Sequence, residues 1–341
     1  MSTAHATIFK EEIDNTVRKL LKYRSPDRFI FNIVTDTHLF PDDRQSMARF
    51  EHSIENLCAV SAAVRPNCIF HLGDMLWWNP QVDNPTYWNE ERTAGTLNYA
   101  RSEFLSCNKN TFFVPGNHDG AGASEPNPSV WSRQMVDLHE SSVTHHSGVG
   151  YYFVDFKEYK LRAVILMSCF KTPDGVHYGY FKDQLLWLCR EALQVPKGYQ
   201  ILLFAHMTPV GPTVGRFHNA DLFCELMTAF STRTVFRSAD FSHDFKNAEG
   251  SVSAMFVGHG HVDWSEKFSC LPCRVIETAC NLLHVPQFGK WPIPENGEPR
   301  PRAYGTVTED LWDTAVLNMK TGQLDIVRFG SGADRHFNIF N

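Results

Sequence analysis

The chain has no long apolar run. Its first 25 residues hold no uninterrupted hydrophobic stretch of signal-peptide length, and no window of the 341 residues reaches the roughly 18 apolar residues of a membrane span. These two absences set the expectation of a cytoplasmic protein with no membrane partner. There is no excess of positive charge either: 32 Lys and Arg against 38 Asp and Glu leave a net charge of −6. Without a basic field or stripe, extended nucleic acid is not an expected partner. A small anionic ligand stays open, because bound metal ions would supply positive charge locally. Internal repeats, low-complexity tracts and linkers are also missing, which excludes a solenoid or a string of modules.

Nine cysteines are present, an odd number, mostly inside apolar segments. They read as reduced, buried thiols. Cys270-Leu271-Pro272-Cys273 has CxxC spacing but no second pair, so its reading is structural rather than zinc-binding. At 43% hydrophobic residues the chain can bury a large core, and the expectation is one domain over 1–341. Within it, residues 1–25 form an N-terminal helix, and 286–341 a C-terminal loop and β-hairpin extension.

Phe9, Ile13, Val17, Leu20 and Leu21 recur at helical spacing. The run 29–35 is a buried strand, followed by a helix over 46–64 with Met47, Phe50, Ile54, Leu57, Cys58 and Ala62 on one face. The pattern repeats: a strand at 67–72, a helix at 90–106, a strand at 111–114. Such alternation predicts βαβ units around a mostly parallel sheet, whose ligands gather at the carboxyl ends of the strands. Residues 150–155 and 161–168 pair as strands, 181–193 form a helix, and strands follow at 200–204, 252–257 and 274–277. Segments 315–320 and 323–328 flank Thr321-Gly322 as a hairpin. Residues 77–98 (Trp77, Trp78, Tyr87, Trp88) and 286–305 are aromatic and proline-rich loops, read either as lids or as covers for core edges.

Five clusters stand just after apolar runs: Asp36-Thr37-His38, Gly73-Asp74, Gly116-Asn117-His118-Asp119, His206 and Gly258-His259-Gly260-His261. A dinuclear hydrolytic site needs oxygen and imidazole donors around two ions and a carboxylate to bridge them. Asp36, His38, Asp74, Asn117, His206, His259 and His261 meet that need, with Asp74 as the natural bridge and Gly258 and Gly260 easing the bend that brings both imidazoles in. His118 is left over as a proton donor, and Asp119 could hydrogen-bond its ring. Taken singly, each histidine reads as a satisfied core or surface residue; it is the conjunction that points to chemistry. The other eleven histidines, His71, His139, His145, His146 and His284 among them, keep the bland reading.

The order D-x-H, GD, GNH[DE], H, GHxH resembles the signature of the calcineurin-like metallophosphoesterase superfamily, from about Phe29 to at least His261. The run 179–188, with Gly179, Gln184, Trp187 and Leu188, resembles that family's helix between the third and fourth motifs. The resemblance implies a four-layer α/β/β/α sandwich of two packed mixed sheets with outer helices. It implies two transition-metal ions, manganese, iron or zinc: Asp36, His38, Asp74 and His261 on the first, Asp74, Asn117, His206 and His259 on the second. His118 would be the general acid.

Where members commonly carry Asp, Asn or Tyr three residues after the bridging Asp74, this chain has Trp77. That disfavours a purple acid phosphatase with its tyrosinate–iron bond. Ala205-His206 in place of a histidine pair is closest to the class III cyclic nucleotide phosphodiesterases. Residues 329–335 read as a tail crossing the domain surface.

The expected reaction is hydrolysis of a small phosphate ester, with a metal-bridging hydroxide attacking phosphorus in line and His118 protonating the leaving oxygen. A diester is favoured, since no Arg/Lys cluster near the motifs is set to clamp a dianionic monoester. Arg216 and His218 are the nearest candidates for substrate contact, and Trp77, Trp78 and Trp88 could stack on a base or sugar. The alternatives are a phosphomonoesterase, a nuclease weakened by the negative charge, and a catalytically silent metal-binding scaffold of the same fold.

Overall fold

A computed structural model of the protein describes residues 9–77, 89–119, 131–136, 143–145, 148–172, 175–211, 217–281 and 302–340. Helix α1 (Lys10–Leu21) buries Ile13 and Leu20 but leaves Leu21 44% exposed, so the inward stripe is narrower than the sequence pattern implied.

The strands β1 (Arg28–Val34), β2 (Cys68–His71) and β3 (Thr111–Phe113) run parallel, in register Val34 to His71 and His71 to Phe113. They are joined by α2 (Arg44–Val64) and α3 (Glu90–Cys107), whose N-termini are capped by the Asp43 and Asn89 side chains accepting from Gln45 N and Arg92 N. Along α2 the buried face is Phe50, Ile54, Leu57, Val60 and Val64, and Ala62 is exposed. Ser61 takes the inward place expected of Ala62, its hydroxyl accepting a 2.9 Å bond from Asn32 Nδ2. Residues 90–98, placed by the sequence both in the helix over 90–106 and in the first aromatic loop, belong to α3; Trp78, Tyr87 and Trp88 lie outside the described residues.

Cys58 on α2 and Cys107 on α3 form a disulfide. This corrects the expectation of uniformly reduced thiols: two half-buried cysteines on neighbouring helices are brought together by packing, which their spacing of 49 residues does not reveal.

The second sheet contains β4 (Val143–His145), β5 (Tyr152–Phe156) and β6 (Leu161–Ile165). A small hairpin follows, β7 (Cys169–Thr172) with β8 (Gly175–Tyr178), then α4 (Lys182–Trp187), which continues as a π-helical turn over Leu188–Ala192. After β9 (Gln200–Phe204) come α5 (Ala220–Thr232) and a hairpin of β10 (Val235–Arg237) and β11 (Ser242–Asp244). The sheet is completed by β12 (Ser251–Val257), β13 (Trp264–Lys267) and β14 (Arg274–Glu277) in the order β13-β14-β12-β9-β6-β5-β4.

Finally β15 (Leu311–Asn318), β16 (Gln323–Gly330) and β17 (Arg335–Asn338) return to the first sheet, which reads β17-β16-β15-β1-β2-β3. The C-terminal hairpin is therefore no extension. β15 lies antiparallel to β1, from Arg28–Asn318 to Ile33–Asp313, and forms half of the sheet's middle. Residues 329–335, expected to cross the surface, are the end of β16, the turn over 331–334 and the start of β17, and Arg335 is buried.

The two sheets meet through aromatic side chains. Phe70 stacks on Phe204 with centroids 3.8 Å apart, and Phe31 meets Phe256 edge-on at 5.5 Å. Truncating one such ring would cost about 3–5 kcal/mol. A second core lies between the other face of the second sheet and α4 and α5, with Leu185, Leu188, Phe223 and Leu226 fully inside. Helices outside two packed mixed sheets give the expected α/β/β/α layering. Among the described residues no helix is long and apolar enough to cross a membrane.

Candidate metal centre

Strands β1, β2, β9 and β12 end side by side, and the loops that leave them carry the candidate ligands. The backbone there is unusual. Nine described non-glycine residues have positive φ, and five of them are Asp36 (54°), His38 (44°), Asp74 (51°), His259 (72°) and His261 (58°). Left-handed backbone at branched or bulky side chains is held only where surrounding bonds impose it. The bend in Gly258-His259-Gly260-His261, expected of the glycines, is made by the two histidines themselves. Gly258 is required for a different reason: a Cβ there would stand 2.1 Å from Thr35 Oγ1 and 2.7 Å from Asp36 Oδ2. Gly116 likewise leaves room for Asp74, whose N would lie 2.0 Å from its Cβ.

Backbone bonds tie these loops together. Asp36 N donates to Gly73 O (2.9 Å), His38 N to Asp74 O (3.1 Å), Gly258 N to His206 O (3.0 Å), and His118 N to Asp74 Oδ1 (2.8 Å). The side chains then converge in two sets that share one carboxylate. Potential ligand atoms of Asp36, His38, Asp74 and His261 lie within 4.8 Å of one another, as do those of Asp74, His206 and His259. Asn117 joins the second set, its Oδ1 3.1 Å from His206 Nε2.

The donor chemistry fits a pair of cations. His206 Nδ1 donates to Leu72 O (2.8 Å) and His38 Nδ1 to Leu76 O (3.3 Å), an arrangement in which a neutral ring turns the lone pair of Nε2 inward. There His206 Nε2 meets Asp74 Oδ2 at 3.1 Å and the Asn117 oxygen, and His38 Nε2 meets His261 Nε2 at 3.2 Å. His261 Nε2 stands 3.0 Å from Asp36 Oδ1. Acceptors facing acceptors in a buried space call for positive charge between them. Oxygen and imidazole donors in this mix suit first-row transition metals.

Electrostatics tell the same story. Burial alone would raise the Asp36 carboxyl, but His261 and His38 hold it well below the usual range. Asp74 is lowered in the same way by His206 and His118. For His206, burial is outweighed by Asp74 and Asp36, which raise it to about 10. The proton it then carries stands where cationic charge is needed. Burial takes His118 the other way, down to about 4 against the pull of Asp74.

His118 Nε2 is 3.8 Å from Asp74 Oδ2, with the side chain 26% exposed, at the open side of the centre. Trp77 stands beside it, stacked at 6.4 Å and edge-on to His38 at 5.4 Å. Asp119 does not bond the His118 ring as expected. Its Oδ1 accepts from Met75 N (2.7 Å) and Leu76 N (3.1 Å) and its Oδ2 from Gly116 N (2.8 Å), because the turn after Asn117 presents backbone donors that need a buried acceptor. Asp119 thus clamps the third motif onto the second.

His218 is fixed through its backbone, donating to Tyr178 O and accepting from Tyr180 N, while the Tyr178 ring lies 6.4 Å from His259. Trp78 and Arg216 lie outside the described residues. Gln184, in the fourth helix, is buried with its amide bonded to both Met167 N and Met167 O, which ties α4 to the end of β6.

Three features escaped the sequence. His71, given the bland reading, sits buried behind the first two motifs: Gly73 N donates to its Nδ1 (3.3 Å), its Nε2–H then donates to Thr37 Oγ1 (3.2 Å), and Thr37 Oγ1 donates to Met75 O (3.2 Å). The chain of bonds requires a neutral ring, and burial pushes His71 down to about 3. Its place two residues before Gly73 was the only available signal. The second feature is a buried quartet under the GHGH loop. Arg328 binds Asp263 with two nitrogens (2.8 and 2.9 Å) and Asp313 with Nε (2.6 Å), and Arg335 binds Asp313 (2.7 Å). No local pattern connects Asp263 to residues some 65 positions later. The third is Cys280, whose Sγ donates to Asp36 O (3.0 Å).

The model of the calcineurin-like phosphoesterase family matches residues 30–263, a span that holds all seven donors and His118. Among solved structures, a predicted phosphoesterase from Streptococcus pneumoniae is similar at 8% identity over 91% of this chain and 97% of its own, with a TM-score of 0.32. A single mutant of Vps29 from Entamoeba histolytica is similar at 8% over 92% and 99%, TM-score 0.32. The phosphopantetheinyl hydrolase of Mycobacterium tuberculosis is similar at 11% over 73% and 89%, TM-score 0.32. No curated protein matches the chain.

Proposed function

The chain belongs to the calcineurin-like phosphoesterase family, and from that premise we propose that it hydrolyses a small phosphodiester with two transition-metal ions, manganese, iron or zinc. The observation that carries this reading is the pair of ligand sets sharing Asp74. Asp36, His38, Asp74 and His261 would hold one ion, and Asp74, Asn117, His206 and His259 the other. When bound, the two ions would supply charge against the phosphoryl oxygens and acidify water.

The chain's own residues do the rest. Asp74 fixes the spacing of the two sets, with His118 N bonded to its second oxygen. His118, at the open edge, holds a proton at Nε2 for the leaving oxygen, and Trp77 packs beside it and restricts its ring. Asp119 acts as a positioning residue through the backbone of residues 75, 76 and 116.

The preference for a diester rests on charge. Every group within 4 Å of the Asp36 and Asp74 carboxylates that can carry positive charge is a histidine, with no Arg or Lys among the described residues. A dianionic monoester would lack a guanidinium partner there. Turnover of bis(p-nitrophenyl) phosphate against p-nitrophenyl phosphate by the metal-loaded protein, with His118→Ala as control, tests the reading. Faster diester turnover that falls in the variant supports it, a monoester preference makes the protein a phosphatase, and metal uptake without turnover of either makes it a scaffold.

The cytoplasmic placement taken from the N-terminal sequence belongs to the same proposal. It is opposed by the Cys58–Cys107 disulfide, since such bonds persist in oxidising compartments. Alkylation of Cys58 and Cys107 in freshly lysed cells supports the placement; their protection overturns it.

A further inference from the structure

Cys280 follows β14 by three residues and is 3% exposed. Its backbone is held on both sides: Thr278 N donates to Val257 O (3.1 Å), Ala279 N to Asp263 Oδ1 (3.1 Å), Asn281 N to Thr35 O (2.9 Å), and Arg302 binds the Cys280 carbonyl (2.8 Å). These bonds anchor the segment to β12, to the loop after His261 and to the loop before Asp36. They present the thiol to the first ligand set. Cys280 Sγ and potential ligand nitrogens of His38 and His261 lie within 4.8 Å of one another, a third donor group that shares both imidazoles.

Building on the two-metal reading, we propose that Cys280 is an additional ligand of the first ion and sets which metal that position takes. Sγ–H gives up its bond to Asp36 O, the proton leaves to solvent, and the thiolate forms the metal–sulfur bond; nothing is oxidised or reduced. The first set otherwise consists of two carboxylates and two imidazoles, which accept manganese readily. A thiolate shifts the preference to softer ions, zinc, cobalt or iron. The other six free cysteines lie outside this group.

The test uses the full chain loaded with cobalt(II). Expected are a near-ultraviolet thiolate-to-cobalt charge-transfer band in the wild type and its loss in Cys280→Ser, with two cobalt ions bound in both. Zinc-loaded wild type should show a sulfur neighbour at about 2.3 Å by X-ray absorption. The zinc-over-manganese preference should fall at least about tenfold in the variant, the scale known for disturbing a metal's surroundings. Cys280→Ala provides the comparison if the serine protein does not fold.

Two bound cobalt ions without a sulfur signature would overturn the proposal, as would a signature unchanged in the variants. Failure of the wild type to bind any metal would instead remove the two-metal reading on which the proposal rests.

Discussion

Two buried clusters of charge lie a few residues apart in this protein and are solved in opposite ways. In the quartet beneath the GHGH loop, Asp263 and Asp313 face Arg328 and Arg335, and the guanidinium forks satisfy both carboxylates within the chain. In the metal centre, Asp36 and Asp74 face histidines whose inward nitrogens are acceptors when neutral. The first cluster pairs its carboxylates and guanidinium groups as folded, with Arg335 Nε left without a partner. The second is completed only by added charge, a proton on His206 or cations. Self-sufficiency of charge marks the structural cluster and its lack marks the candidate site, although the carboxylates of both are buried.

The comparison is broken most severely by Asp74→Asn. Asparagine keeps an acceptor for His118 N but removes the shared negative charge, so hydrolysis should fall by about 10⁴-fold while the fold persists and bound metal drops below two. Steady-state kinetics with elemental analysis check this.

Next is Arg328→Met, which leaves Asp263 and Asp313 short of a partner. It should cost about 3–5 kcal/mol in denaturant unfolding, the penalty of breaking rather than replacing a buried pair. An unchanged unfolding midpoint would show that the quartet is not the structural member of the comparison.

On the proposed role of His118 as proton donor, His118→Ala should lower kcat by about 10²- to 10³-fold, with metal content and stability near the wild type. If the variant loses metal, His118 is a ligand and the division of roles is wrong.

The smallest expected effect is a pH dependence. Burial would raise Asp263, but Arg328 and Arg335 lower it from 3.8 to about 2. A carboxylate depressed in the fold contributes stability that is fully present above its unfolded pKa and lost as pH falls through its folded one. About 2 kcal/mol should therefore disappear between pH 4 and pH 2. Asp263→Asn should flatten that part of the stability curve, as read from urea midpoints at several pH values.

Much of the fold was legible because local periodicity is enforced by burial. The helix over 44–64 and the strands at 28–34, 200–204 and 251–257 are long, one-sided or continuously apolar, and each appears within two residues of expectation. Ala62 and Leu21 failed for the converse reason: a helical stripe fixes which face turns inward but not how wide the neighbour's contact is. The place of the 311–330 hairpin in the middle of the first sheet was illegible, since pairing with β1 spans nearly the whole chain.

What the sequence by itself determined was the identity and order of the candidate ligands. Asp36, His38, Asp74, Asn117, His206, His259 and His261 follow strands, and the parallel strands of each sheet carry their carboxyl ends to one edge whatever the loops do; the packing of the two sheets brings those edges together. Only the tertiary structure decided their supports: that Asp119 serves backbone amides instead of His118, that His71 holds two motifs together, that Arg328 reaches Asp263, and that Cys280 stands beside His38 and His261. Each depends on groups meeting across 19 to 242 positions of chain, where sequence spacing carries no distance information and packing alone sets the contact.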